Sequence, residues 1–133
     1  IIVCGLFGGI TALTKDQFLA VNGYSNDFWG WGGEDDEMAS RVKNAGFKIS
    51  RYPDNIARYK MFKHSHESAN PVNKCRYNLM YKVNKRSKYD GLNSLQYKVI
   101  KQELRPLYSW ALVDLLETES KAKLDQEHVC AGT

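Results

Sequence analysis

The sequence has no apolar run long enough to cross a bilayer. Its opening stretch, Ile1-Ile-Val-Cys-Gly-Leu-Phe-Gly-Gly-Ile10, is ten residues against the ~18 that a spanning helix needs. No basic segment precedes that stretch, so it does not read as a signal peptide. An initiator methionine is also lacking, and the first residues read as the middle of a buried strand, so an upstream half is expected. The three cysteines, Cys4, Cys75 and Cys130, show neither Cys-x-x-Cys nor Cys-x-x-His spacing. That argues against a zinc module and leaves pairing and redox compartment open, although an odd number fits a partner cysteine upstream. Repeats and low-complexity tracts are absent.

What is present fits one globular unit or part of one: 133 residues, 43% hydrophobic and 26% charged. A net charge of +4 and a pI near 8.9 would favour nucleic acid only if the cations gathered on one surface. Lys82, Lys85, Arg86 and Lys88 do gather, but a run of this kind reads as a solvated face, and no nucleic-acid partner is expected.

Residues 1–13 read as a buried strand entering a glycine turn at Gly8-Gly9. Thr14 with Gln17 predicts a capped helix start, and Gly23 its end. Glu34–Ala45 reads as a second helix, because Met38, Val42 and Ala45 fall at i, i+4 and i+7 while Arg41 and Lys43 sit toward its C-terminus. Asn44 and Gly46 supply the stop. Phe47–Tyr52 alternates at period two as a strand does, and Pro53-Asp-Asn55 turns the chain toward a second strand at Ile56–Phe62. From His64 to about Lys88 the pattern is polar and irregular. So long a connection points to a functional loop with a short helix at Lys74–Val83. Leu95, Tyr97 and Val99 alternate, Arg105-Pro106 follows, and Leu107–Leu116 is apolar: two strands joined by a turn. Beyond Glu117 the chain is charged and is expected to fray.

Trp29-Gly-Trp-Gly-Gly-Glu-Asp-Asp-Glu37 crowds four carboxylates behind two glycine-flanked tryptophans. A helix N-terminus carries about half a positive charge and unsatisfied amides, which stabilise carboxylates in its first turn by ~0.3–1 kcal/mol each. Successive residues point ~100° apart, so Glu34, Asp35 and Asp36 cannot all face one partner, and at least one is aimed at what precedes the helix. What precedes it is Trp and Gly. Indole rings stack on the apolar faces of sugars and glycines permit close approach, so an aromatic platform beside carboxylates points to carbohydrate. The bland reading is an acidic helix start with two core tryptophans. A crowded, partly buried carboxyl has a raised pKa and suits a general base.

With Phe7-Gly-Gly-Ile-Thr-Ala-Leu-Thr-Lys15, Asn22-Gly-Tyr24, Met61-Phe-Lys-His64 and Asp90-Gly-Leu-Asn-Ser94 in the same order and spacing, the chain resembles the β-1,4-galactosyltransferase family over residues 6 to about 116. The resemblance implies an α/β chain, the C-terminal part of a GT-A (Rossmann-like) glycosyltransferase fold with a mixed sheet and flanking helices. Residues 1–117 would form the C-terminal portion of the catalytic domain, and 118–133 a charged, disordered tail. It implies an inverting, metal-dependent transferase moving a sugar from a UDP-sugar to the 4-hydroxyl of a terminal GlcNAc.

By the same resemblance Asp35 is the base, Glu34 and Asp36 orient donor and acceptor hydroxyls, and Trp31 with Gly32 belongs to a short mobile loop over the donor. Trp29 is read as packing. Phe7 and Gly9 belong to the donor- and acceptor-binding residues. Arg76, Tyr77 and Met80 line the pocket for the acceptor's N-acetyl group, Tyr77 standing where the family commonly has Phe. Met61 and His64 match two Mn²⁺ ligands; a third is expected in the missing N-terminal half. On residues alone, Met61 would be core, because a thioether is a soft ligand, and His64 a surface histidine; Arg76, Tyr77 and Met80 would be one face of a short helix. Leu6 occupies a position where galactose-transferring members carry tyrosine. Its smaller side chain leaves room for an N-acetyl group, which implies UDP-GalNAc as donor with UDP-Gal as the near alternative. A core leucine is the plainer reading. The family is Golgi-resident with a type II membrane anchor, expected upstream of this sequence. The chain alone is expected to bind metal and nucleotide weakly and to be inactive. A carbohydrate-binding fragment without turnover, or a truncated form, is the competing class.

Overall fold

The computed structural model describes residues 7–53, 55–60, 62–65 and 67–130. The strand expected over residues 1–13 falls partly outside them, and residues 7–13 run without regular structure. Phe7 turns into the core, and the Thr11 hydroxyl donates to its carbonyl at 2.6 Å, a local closure in place of a ladder.

Helix α1 spans Lys15–Ala20. The expected capping box is present: the Thr14 hydroxyl accepts from the Gln17 amide at 3.2 Å, and Gln17 Oε1 accepts from the Thr14 amide at 2.9 Å. The Gly23 amide closes the helix on the Phe18 carbonyl at 3.0 Å.

Helix α2 spans Glu34–Asn44. Met38, Ala39 and Val42 are buried with Phe7 and Val21, and Leu13, Phe18, Phe47 and Ile49 pack around them. Ala45, expected on this face, is exposed. The interior is instead completed by Glu37 and Arg41, both 2% exposed. Arg41 Nε donates to both Glu37 oxygens at 2.7 and 2.8 Å. Its Nη1 reaches the carbonyls of Asp90 at 2.7 Å and Gly23 at 3.2 Å, and Nη2 lies 3.4 Å from Asp90 Oδ2.

Asp90 is the centre of this network. Its carboxylate accepts from Ser25 Oγ at 2.5 Å and from the Asn26 amide at 2.8 Å, and it faces Arg86, itself paired with Asp27. The basic run read as a solvated face therefore has one buried member, Arg86, because the Asp27 and Asp90 carboxylates converge on its guanidinium. The Asp90-Gly-Leu-Asn-Ser94 motif closes against α1's end, with the Leu92 amide donating to the Asn22 carbonyl at 2.8 Å.

The short helix expected at Lys74–Val83 is present as two pieces, α3 (Arg76–Tyr81) and α4 (Val83–Arg86). A hairpin follows, β1 (Lys98–Leu104) antiparallel to β2 (Ser109–Asp114), with the turn closed by Arg105 N–H donating to the Tyr108 carbonyl at 2.9 Å. Among the described residues this is the whole sheet. The alternating segment 47–52 and the segment 56–62 form no strand where they are described. Phe47 and Ile49 do turn inward, but alternation without a backbone partner leaves the chain extended and unladdered.

The tail departs most from expectation. Helix α5 spans Glu117–Gln126, where fraying was expected from charge. Two apolar side chains and a covalent bond hold it: Leu124 and Val129 are buried against Cys75 and Leu79, and Cys75 is disulfide-bonded to Cys130.

Candidate active site

Helix α2 begins at Gly33 with no side-chain cap, and Glu34, Asp35, Asp36 and Glu37 form its first turn. Their charges meet the unsatisfied amides there. Glu37 faces inward to Arg41, Asp36 is exposed, and Glu34 and Asp35 are half-buried between. Glu34 Oε2 is buried without a hydrogen-bond partner.

The Asp35 carboxylate lies so close over the Gly8 backbone that a Cβ on Gly8 would overlap it. Burial first, and the neighbouring Glu34 and Asp36 charges next, push the Asp35 carboxyl above the ordinary range. Tyr24 feels the same region: burial first, then Asp35 and Glu34, push its phenol up. Tyr24 and Gly8 join the site only in three dimensions. Both stand in quoted motifs, but their link to Asp35 is non-local and carries no spacing signal.

Trp31 is 46% exposed and is stitched to the long loop by a two-residue parallel bridge. Its amide donates to the Pro71 carbonyl at 2.9 Å and its carbonyl accepts from the Asn73 amide at 3.0 Å. Gly30, at φ +92°, permits this, since a Cβ there would lie 2.5 Å from the Pro71 oxygen. The bridge delivers Arg76. Its guanidinium stands 5.6 Å from the Trp31 ring centroid and 4.9 Å from that of Tyr77, while Nη2 lies 3.2 Å from the Tyr77 hydroxyl. Arg76 also abuts Gly32, and both Arg76 and the Met80 sulfur flank Gly33. The structure thus gathers Trp31, Gly32, Arg76, Tyr77 and Met80 around the loop leading into Glu34, Asp35 and Asp36.

Other expected residues stand apart. Phe7 is core, under Met38, and Gly9 is exposed. Leu6 and Met61 lie outside the described residues. His64 is exposed, and its Nδ1 lies 3.0 Å from the Phe62 carbonyl. A carbonyl only accepts, so in this contact Nδ1 is the donor, and Nε2 is the ring nitrogen left facing away from it. Among the described residues no group of three His, Cys, Asp or Glu could hold a metal ion. His64 fits as one ligand of a set. Trp29 packs against Cys75 and Leu79 as expected, and its indole N–H donates to Ser120 Oγ at 2.8 Å.

Residues 3–65 match the family model described as the N-terminal domain of galactosyltransferase. Human β-1,4-galactosyltransferase 3 is 47% identical over 109 residues, covering 82% of this chain and 28% of the relative. Mouse β-1,4-galactosyltransferase 1 is 43% identical over 109 residues, covering 82% and 27%. The chain spans little more than a quarter of these curated relatives. The solved catalytic domain of Drosophila β1,4-galactosyltransferase 7, in complex with xylobiose, aligns with a TM-score of 0.50 at 20% identity over 89% of this chain and 50% of that one. At that identity the likeness shows the α/β fold.

Proposed function

Because the chain belongs, over this segment, to the β-1,4-galactosyltransferase family, we propose that it forms the acceptor-side part of an inverting β-1,4-glycosyltransferase and the C-terminal portion of its catalytic domain. The observation that carries this reading is Asp35: a carboxylate with raised proton affinity, seated over Gly8 at the start of α2, with Trp31, Arg76 and Tyr77 beside the same loop.

In the proposed reaction, Asp35 takes the proton from the acceptor's 4-hydroxyl as that oxygen attacks the anomeric carbon. The bond from that carbon to the UDP oxygen breaks from the opposite side, so the α-linked donor gives a β1-4 product. A carboxyl of raised pKa holds the proton better than an ordinary one, and positioned bases of this kind supply ~10²–10⁴ in rate. Glu34 and Asp36 orient the sugar hydroxyls. The Trp31 face and the Arg76 stem cover apolar sugar surface, and Tyr77 and Met80 complete a pocket for a methyl amide. A divalent metal such as Mn²⁺, when bound, offsets charge on the departing diphosphate. His64 Nε2 is the group among the described residues suited to hold it, with Met61 and a further ligand completing the set.

The donor is proposed to be UDP-GalNAc, on the strength of Leu6 and the space an aliphatic residue leaves beside the donor's 2-position. UDP-galactose is the second reading, favoured by the names of the relatives. The acceptor is a glycan ending in GlcNAc. A Golgi lumen fits the Cys75–Cys130 disulfide, which persists in oxidising compartments; among the described residues no helix is long and apolar enough to cross a membrane.

The test is a transfer assay on the full-length protein with Mn²⁺ and a GlcNAc acceptor, comparing both UDP-sugars in wild type and Leu6→Tyr. GalNAc transfer that Leu6→Tyr turns toward galactose supports the whole reading. Galactose transfer alone overturns the donor assignment, and no transfer of either sugar leaves a carbohydrate-binding role.

A further inference from the structure

Two parts of the proposed acceptor site, the Trp29–Gly33 loop and helix α3, are held by the same piece of chain. Helix α5 reaches the loop through Ser120, whose hydroxyl accepts from the Trp29 indole at 2.8 Å. The end of α5 and the turn beyond it reach α3 and its cap at three points. Val129 offers its carbonyl to Asn78 Nδ2 at 3.1 Å, Leu124 and Val129 bury themselves against Leu79 and Cys75, and Cys130 is bonded to Cys75. Cys75 is the residue immediately before Arg76, at the helix cap. The segment therefore grips both α3 and the loop two residues before Trp31.

We propose that residues 117–130 act as a strap that positions the acceptor site, with Ser120 and Cys130 as positioning residues for Trp31 and Arg76. The assignment of that site as an acceptor pocket rests on the function proposed above; the strap itself is a mechanical statement. The physical ground is that α3 is six residues long, below the ~12–15 at which an isolated helix is even marginal in water, and only one of its residues, Leu79, is buried. Its order must come from outside. Opening the strap chemically is a defined step: an external dithiol attacks the Cys75–Cys130 bond, two protein thiols result, and the dithiol leaves as its cyclic disulfide.

Hydrogen exchange on the full-length protein tests this, in wild type with and without dithiothreitol, in Cys130→Ser, and in Ser120→Ala. Expected is at least tenfold faster exchange of amides 76–81 after reduction and in Cys130→Ser, with α2 unchanged. Ser120→Ala should speed exchange across 29–33 several-fold and spare 76–81, and Ser120→Thr should restore it. Exchange of 76–81 that ignores loss of the disulfide overturns the proposal, and so does equal loss of protection in α2, which would make the segment a general stabiliser. In the transfer assay, Cys130→Ser should raise the acceptor KM at least threefold with kcat within twofold; an unchanged KM overturns the positioning role. If wild type transfers no sugar while exchange changes as stated, the strap stands and the transferase reading falls.

Discussion

Replacing Arg41 by leucine would test whether this core rests on its ion network. Arg41 is 2% exposed and carries Glu37, Asp90 and the Gly23 carbonyl at once. Leucine leaves the Glu37 carboxylate, also 2% exposed, with no cation against it. Breaking a buried pair from one side costs about 3–5 kcal/mol, most of it the stranded charge. For a chain of this size each kilocalorie lowers Tm by roughly 4 °C, so a fall of about 12–20 °C is expected. The pH dependence gives the second signature. Burial pushes the Glu37 carboxyl up and Arg41 pulls it down, so removing Arg41 raises it further. A carboxyl whose folded value is raised favours folding below its unfolded value of about 4.3 and loses that contribution as pH rises through the folded value. The Arg41→Leu deficit should therefore be largest near neutrality and shrink below pH ~4.3, where Glu37 is protonated in both states. Glu37→Leu added to Arg41→Leu should recover much of the loss, because an apolar pair leaves no charge stranded. Urea denaturation across pH measures all three proteins. A loss under about 1 kcal/mol at pH 7, or a deficit that grows toward acid, would refute the assignment of the network as the stabilising centre.

Asp35→Asn should lower kcat by about 10²–10⁴ while acceptor affinity stays within threefold by calorimetry; a parallel loss of affinity would favour pure binding. Glu34→Gln removes one of the charges that raise Asp35, so the acid limb of kcat/KM, where rate falls as the base protonates, should move to lower pH. Gly8→Ala places a methyl inside the Asp35 carboxylate. It should reduce transfer at least tenfold with Tm falling by no more than a few degrees, and near-normal transfer would place Asp35 elsewhere.

What could be read from the sequence was local. The Thr14–Gln17 cap joins residues three apart, and α2 announced itself by acids at its head, Met38 and Val42 within, and Gly46 beyond. Hydrophobic periodicity then assigned the inward face to Ala45 and missed Glu37 and Arg41, because charged residues carry no apolar signal and Arg41's further partner, Asp90, lies 49 residues downstream. The tail was read as frayed for the same reason: its charge is local, whereas the partners of Leu124, Val129 and Cys130 stand at positions 75–79. At the site, the acidic turn and Trp31 were legible as composition. That the Gly8 backbone sits under Asp35, and that Pro71 and Asn73 bring Arg76 to Trp31, depends on chain crossings with no periodic trace.

The Asp90 network sets an order of events during folding. Asp90 meets Ser25 and Asn26 across 65 and 64 residues, so it forms only after a large loop has closed. A half-assembled cluster of charges is better left in water, since each buried ion lacking a partner is penalised. The capped helix α1 can flicker into place early, but the two ends of this loop have no reason to dry until Arg41, Arg86 and Asp27 arrive together. Asp90→Asn should accordingly slow refolding in stopped-flow more than it speeds unfolding, marking the closing of that loop as the step at which this chain commits.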